Sequence, residues 1–123
     1  MLRAFRKLVV FVIASLAFGV LHAAGDEWPN KPITFVVPFP PGGITDNTSR
    51  LLAKLLSAQL GQSVVVDNRP GAGGSIGVES ASRQPPDGYT IIYGTQGTHG
   101  ANLALYKNVR YDPVTDFVPV HGM

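Results

Sequence analysis

The chain has 123 residues, 45% of them hydrophobic, with ten Lys and Arg against eight Asp and Glu, three His and no Cys. The missing cysteines exclude disulfide staples, a thiol nucleophile and any cysteine-based metal site. Arg3, Arg6 and Lys7 supply three of the ten cations, so the sequence after residue 25 holds seven against eight acids, or −1. It carries no basic run and no basic-aromatic stripe, so no nucleic acid is expected as a partner.

Leu8 to Leu21 is a 14-residue apolar run broken only by Ser15 and Gly19, and Ala23, Ala24 and Gly25 follow it. A basic start, a short apolar run and small residues at the exit spell a secretory signal peptide. The run is shorter than the roughly 20 apolar residues a membrane span needs. The expected division is a leader over 1–25, cleaved near Ala23 to Gly25, and one exported domain over 26–123. No cysteine follows the leader to carry a lipid anchor, which fits free release into a bacterial periplasm. About a hundred residues are enough for one small domain with a modest core. Trp28, just after the leader, is expected to pack the entering chain onto that domain.

Ile33 to Pro38, apolar except for Thr34, is a short run of the kind expected of a strand covered on both faces. Pro40, Pro41, Gly42 and Gly43 follow, a stiff exit and then a stretch without side chains, where backbone N–H groups can approach a ligand. A helix opens next, with Asp46 or Thr45 as its expected cap. Leu51, Leu52, Leu55, Leu56 and Leu60 are its expected inner face, and Gly61 is its left-handed stop. Val64 to Asp67 reads as a second strand, leading to the loop Asn68 to Gly74. Ser75 to Arg83 reads as a second helix, capped by Ser75, with Ile76, Val78 and Ala81 facing inward. Pro85-Pro86-Asp87-Gly88 marks a turn, and Thr90 to Tyr93 a third strand closed by Gly94. Tyr89, Tyr93, Tyr106 and Tyr111 read as core or rim residues.

Alternating strands and helices predict an α/β fold with a parallel sheet and right-handed crossovers. The loops Pro41 to Thr45, Gly71 to Ser75 and Gly94 to Thr98 then end three strands on one edge, where open α/β sheets bind ligands. Three loops rich in N–H and hydroxyl donors suit a small oxygen-rich ligand, although each glycine pair also serves as a plain turn.

Other chemistries have weaker support. Gly71-Ala72-Gly73 lacks the third glycine of a dinucleotide fingerprint, because position 76 is Ile76, and no phosphate-loop motif is present. His99 and His121 are the only histidines after the leader, and no metal-binding spacing involves them. A Ser75, His99, Asp87 triad has no nucleophile elbow behind it, and His99 reads better as a hydrogen-bonding loop residue than as a base. Neither a catalytic residue, a metal nor a cofactor is expected.

Five ordered motifs carry a resemblance. Trp28-Pro29-x-Lys31-Pro32-Ile33 comes first, then Val36-Val37-Pro38-Phe39-Pro40-Pro41-Gly42-Gly43-x-x-Asp46. Leu60-Gly61-Gln62-x-Val64 through Gly74 follows, then Pro86-Asp87-Gly88-Tyr89-Thr90, and last Tyr111-Asp112-Pro113-x-x-Asp116-Phe117-x-Pro119-Val120. Over Trp28 to Val120 the chain closely resembles the amino-terminal part of the Bug-type periplasmic solute-binding receptors of tripartite tricarboxylate transporters. The resemblance implies a partial, truncated lobe of a periplasmic-binding-protein fold (type II-like), in which two α/β lobes close on a ligand. It implies a small organic acid as ligand, a di- or tricarboxylate or a relative, and the membrane subunits of the transporter as partners. The ligand-binding candidates are Phe39, Pro41, Gly42, Gly43 and Asp46 in the first loop, Gly73 and Gly74 in the second, and Thr95 and Thr98 in the third. Asp46 would repel a ligand carboxylate, so capping the helix, fixing a water or meeting a ligand ammonium are its expected roles. The family continues past Val120 into a second lobe, so the chain is expected to be an amino-terminal piece of a receptor. A remnant without binding activity and, more distantly, an exported α/β enzyme are the alternatives.

Overall fold

The computed structural model of the chain describes residues 27–122. The expected leader over 1–25 lies outside the described residues. Strand β1 is Ile33–Val37, helix α1 Ile44–Leu60, strand β2 Val64–Asn68, helix α2 Ser75–Ser82 and strand β3 Thr90–Ile92. The three strands form one parallel sheet in the order β2-β1-β3. The α/β class and the parallel sheet are thus as the alternation of elements predicts.

Central position explains the composition of β1. With a neighbour on each side and a helix on each face, Ile33, Phe35, Val36 and Val37 are all buried. Ile33 and Phe35 join Ala53 of α1 and Val64 of β2 in one core cluster, with Leu52, Leu56, Leu60, Val66, Ile91 and Tyr93 packed against it. Side chains alternate along a strand, so Val36 points to the other face, where α2 packs on β1 and β3 around the fully buried Val78. The chain moves from β1 outward to β2, then crosses back to β3 on the far side of β1. The carboxyl ends of β1 and β3 therefore flank the point where the winding direction reverses, the place where sheets of this kind leave a crevice.

Several expectations need correction. Leu51 and Leu55 are 60% and 55% exposed. The inner face of α1 is instead Asp46, Ser49, Leu52, Ala53, Leu56 and Leu60, because one helical stripe covers the sheet and Leu51 and Leu55 fall on its far side. Neither Asp46 nor Thr45 caps α1: Gly43 holds the cap position, with no side-chain hydrogen bond to the helix start. Gly61 does supply the left-handed stop, at φ +66°, and donates its N–H to the Ser57 carbonyl. Ser75 does not cap α2, whose cap position is held by Gly74. Ile76 faces outward, 54% exposed, since the inner stripe of α2 is Gly77, Val78 and Ala81.

One element was not anticipated. After β3 the chain enters a π-helical turn, Gly97–Ala101, that continues into a short helix, α3, Asn102–Leu105. Tyr111 then folds back, buried, and donates its hydroxyl proton to the Thr98 carbonyl at 2.5 Å. Phe117 sets its ring edge-on to His99 and Tyr111, with centroids at 5.3 and 6.4 Å. At the other end, Trp28 lies 6.0 Å from the Tyr89 ring, and the Asn30 N–H donates to the Tyr89 hydroxyl. The entering chain is fastened to the domain there, as expected of Trp28.

Candidate functional site

The first loop is held by a buried carboxylate. Asp46, 2% exposed, accepts hydrogen bonds from the Gly42 N–H at 2.8 Å, Arg50 Nε at 3.0 Å and Asn68 Nδ2 at 2.9 Å. Asn68 also donates to the Phe39 carbonyl at 3.1 Å and accepts from Arg50 at 3.1 Å. One network thus joins the exit of β1, the first turn of α1 and the end of β2. Asp46 is the third residue of α1 and reaches backward to Gly42, which is why it ties the loop rather than capping the helix. Gly42 sits at φ +86°, a backbone region that other residues enter only with strain.

Hydrogen bonds set the charge of Asp46. The Arg50, Gly42 and Asn68 donors, in that order, outweigh the opposing effect of burial and lower its pKa from 3.8 to about 2. A carboxyl whose folded pKa is depressed adds stability that is complete above its unfolded value and is lost as pH falls toward the folded one. Thermal stability is therefore expected to fall between about pH 4 and pH 2, and Asp46→Asn should flatten that part of the profile. Parallel melts of both proteins at pH 5 and pH 2.5 check this; equal drops in melting temperature would assign the acid sensitivity to other carboxyls.

The second loop is clasped from above. Asn102 of α3 donates Nδ2 to the Gly73 carbonyl and to Ser75 Oγ, both at 3.0 Å. The Tyr106 ring covers Gly73 so closely that a Cβ there would lie 2.7 Å from its hydroxyl. A Cβ on Gly74 would lie 2.7 Å from Thr98 Cγ2 and 3.4 Å from the Phe39 ring, so Gly74 is where the three loops meet. Both glycines have positive φ, +61° and +91°.

In the third loop Thr95 and Thr98 bind each other. The Thr98 N–H donates to Thr95 Oγ1 at 3.2 Å and the Thr95 N–H to Thr98 Oγ1 at 2.9 Å, the reciprocal pattern of a capping box. His99 places Nδ1 2.8 Å from Thr98 Oγ1, and burial lowers its pKa. It is a hydrogen-bonding residue, as expected, but it lies in the π-helical turn rather than in a loop. Ser75, His99 and Asp87 have separate partners, Asn102, Thr98, and Lys31 with the Tyr89 N–H, so no triad is assembled.

The sequence-derived candidates divide by burial. Pro41, Gly42, Gly43 and Gly73 are exposed, Phe39 and Thr95 half-buried, and Asp46, Gly74 and Thr98 buried. An open depression of about 370 Å³ is lined by Phe39, Pro40, Pro41, Gly43, Ile44 and Thr45. The first-turn N–H groups of α1 lie beside it with no side-chain cap, and they carry the positive end of the helix dipole. Sequence reasoning missed Arg50, Asn68 and Asn102 as site residues, and read Tyr106 only as a core or rim residue. Thr95-x-x-Thr98 lacks the Glu or Gln of the usual capping-box signature, so the helix that carries Asn102 toward the second loop left only a weak signal. Among the described residues no group of three His, Cys, Asp or Glu could hold a metal ion, and no helix is long and apolar enough to cross a membrane.

A parallel sheet wound on both faces, with three donor-bearing loops gathered at its reversal point, is the lobe architecture of periplasmic binding proteins. Residues 48–123 match the Tripartite tricarboxylate transporter family receptor, TctC, and the chain belongs to this family. It is 44% identical over 117 residues to Protein BugT of Bordetella pertussis, covering 94% of this chain and 36% of that protein. A protein of Pseudomonas sp. strain P51 encoded in the tcbD-tcbE intergenic region is 45% identical over 95 residues, 77% of this chain and 28% of that one. Among solved structures, MatC of Rhodopseudomonas palustris with bound malate superposes with a TM-score of 0.72 at 42% identity, covering 76% of this chain and 32% of that one. A second R. palustris protein, with adipate, gives 0.70 at 47% identity over 72% of this chain and 30% of that one. The chain thus spans about a third of the length of the relatives it matches.

Proposed function

We propose that this chain contributes the first-lobe ligand edge of a periplasmic receptor that binds a small carboxylate, without catalysis, for a tripartite tricarboxylate transporter. The observation that carries the reading is the meeting of three glycine-bearing loops at Gly74, beside an uncapped helix start, in a chain of the receptor family. Free N–H groups and a helix dipole favour an anion there. The malate and adipate held by two structural relatives support a dicarboxylate or a related organic acid as the ligand class. Export through the leader over 1–25, and delivery of the ligand to membrane subunits, belong to the same reading.

The candidate residues take different roles in it. Phe39, Pro41, Gly43, Gly73 and Thr95 offer surface and backbone to the ligand. Gly42 gives its N–H to Asp46, so Asp46, Gly74 and Thr98 act as the buried frame that holds the donors in place. Asp46 and Arg50 pair at 3.0 Å, which offsets the carboxylate charge that would otherwise repel an acid.

Titration of the isotope-labelled full chain with a panel of organic acids tests the reading, with adenosine monophosphate as the control. Saturable amide shifts confined to residues 42–46, 71–75 and 95–98 are expected with the acids. A preference for the nucleotide, or chemical turnover of any acid, would overturn it.

A further inference from the structure

We infer that the first-loop subsite selects organic acids with a hydrocarbon body, and that Ile44 sets this preference. The inference rests on the receptor reading above and narrows its ligand class. Ile44 is the first residue of α1 and is 86% exposed, so it contributes almost nothing to the core. It lines the depression at the loop together with Phe39, Pro40 and Pro41, and Thr45 is the one lining residue with a polar side chain.

No charged side chain lines the depression to receive a second polar group. The nearest carboxylate, Asp46, is buried and spent on Gly42, Arg50 and Asn68, and the Arg50 guanidinium turns to Asp46 and Asn68. A ligand here therefore meets two surfaces: N–H groups at the uncapped helix start and an apolar wall. The first suits one carboxylate. Against the second, hydroxyl or carboxylate groups would lose water without gaining a partner, whereas methylene or aryl groups would take Ile44 and Phe39 out of water. The class that fits is an acid whose carboxylate is followed by an alkyl or aryl body, in preference to a hydroxylated tricarboxylate.

Amide titrations of the full chain and of Ile44→Ser, each with suberate and with citrate, test the inference. Because Ile44 lies outside the core, the variant should fold, and its undisturbed amide spectrum away from the loop verifies that. Each methylene fully buried strengthens binding about fourfold, so partial burial of several should make suberate about tenfold tighter than citrate. In Ile44→Ser that ratio should drop to about threefold or less, mainly through loss of suberate affinity. Citrate binding as tightly as suberate to the unmodified chain, or an unchanged ratio in the variant, overturns the inference and leaves the receptor reading standing. No saturable shift with either acid overturns both.

Discussion

Gly77→Ala should destabilise the domain strongly. A Cβ at this position would lie 2.6 Å from the Arg69 carbonyl oxygen and 2.8 Å from Pro38 Cα, both backbone atoms. Neither can step aside as a flexible side chain could, because Pro38 directly follows β1 and the Arg69 N–H is bonded to the Val37 carbonyl at 2.8 Å. Overpacking of a tight interior costs about 1–3 kcal/mol, and a clash with two backbone segments belongs at or above the top of that range. In a domain of this size about 3 kcal/mol corresponds to a fall in melting temperature of roughly 12 °C or more. Circular dichroism melts of both chains measure it, and a shift under about 3 °C would show that α2 can lift from the sheet without cost. Gly77 has no need of a left-handed backbone; its value is the close approach of helix to sheet.

That distinction marks what could be read in the sequence. The run Ile33 to Val37, apolar but for Thr34, short and rich in β-branched residues, announces a strand covered on both faces, and the alternation of elements implies the parallel sheet. Pro38 through Gly43 announces the loop above it. Contacts between elements far apart in sequence left no local trace. Asn68 reaches Asp46 and the Phe39 carbonyl across 22 and 29 residues, and Asn102 reaches Gly73 across 29. Period and turn chemistry describe each segment alone, so they gave Asp46 a capping role at its own helix start, whereas the folded chain uses it to tie three elements. The leucines of α1 show the same limit: five fit a helical pattern, but the sheet selects Leu52, Leu56 and Leu60.

Gly43→Val is expected to separate the binding role of the first loop from its structural role. Gly43 has φ −80° and ψ 176°, extended backbone that a branched residue adopts without strain. A Cβ there would meet only the Pro40 carbonyl oxygen, at an ordinary 3.8 Å. The cost to the fold is limited to a poorer helix cap, about 1 kcal/mol. The cost to binding should be far larger, because the added side chain would stand over the uncapped N–H groups where the carboxylate is proposed to sit. Affinity for an organic acid should fall at least about tenfold, the equivalent of about 1.4 kcal/mol, while amide exchange in β1 and α1 stays protected. Gly43→Ala, which adds one methyl group, should fall between the two. If valine leaves the titration unchanged and the fold intact, the carboxylate does not approach the backbone at Gly43, and the first loop is only a turn.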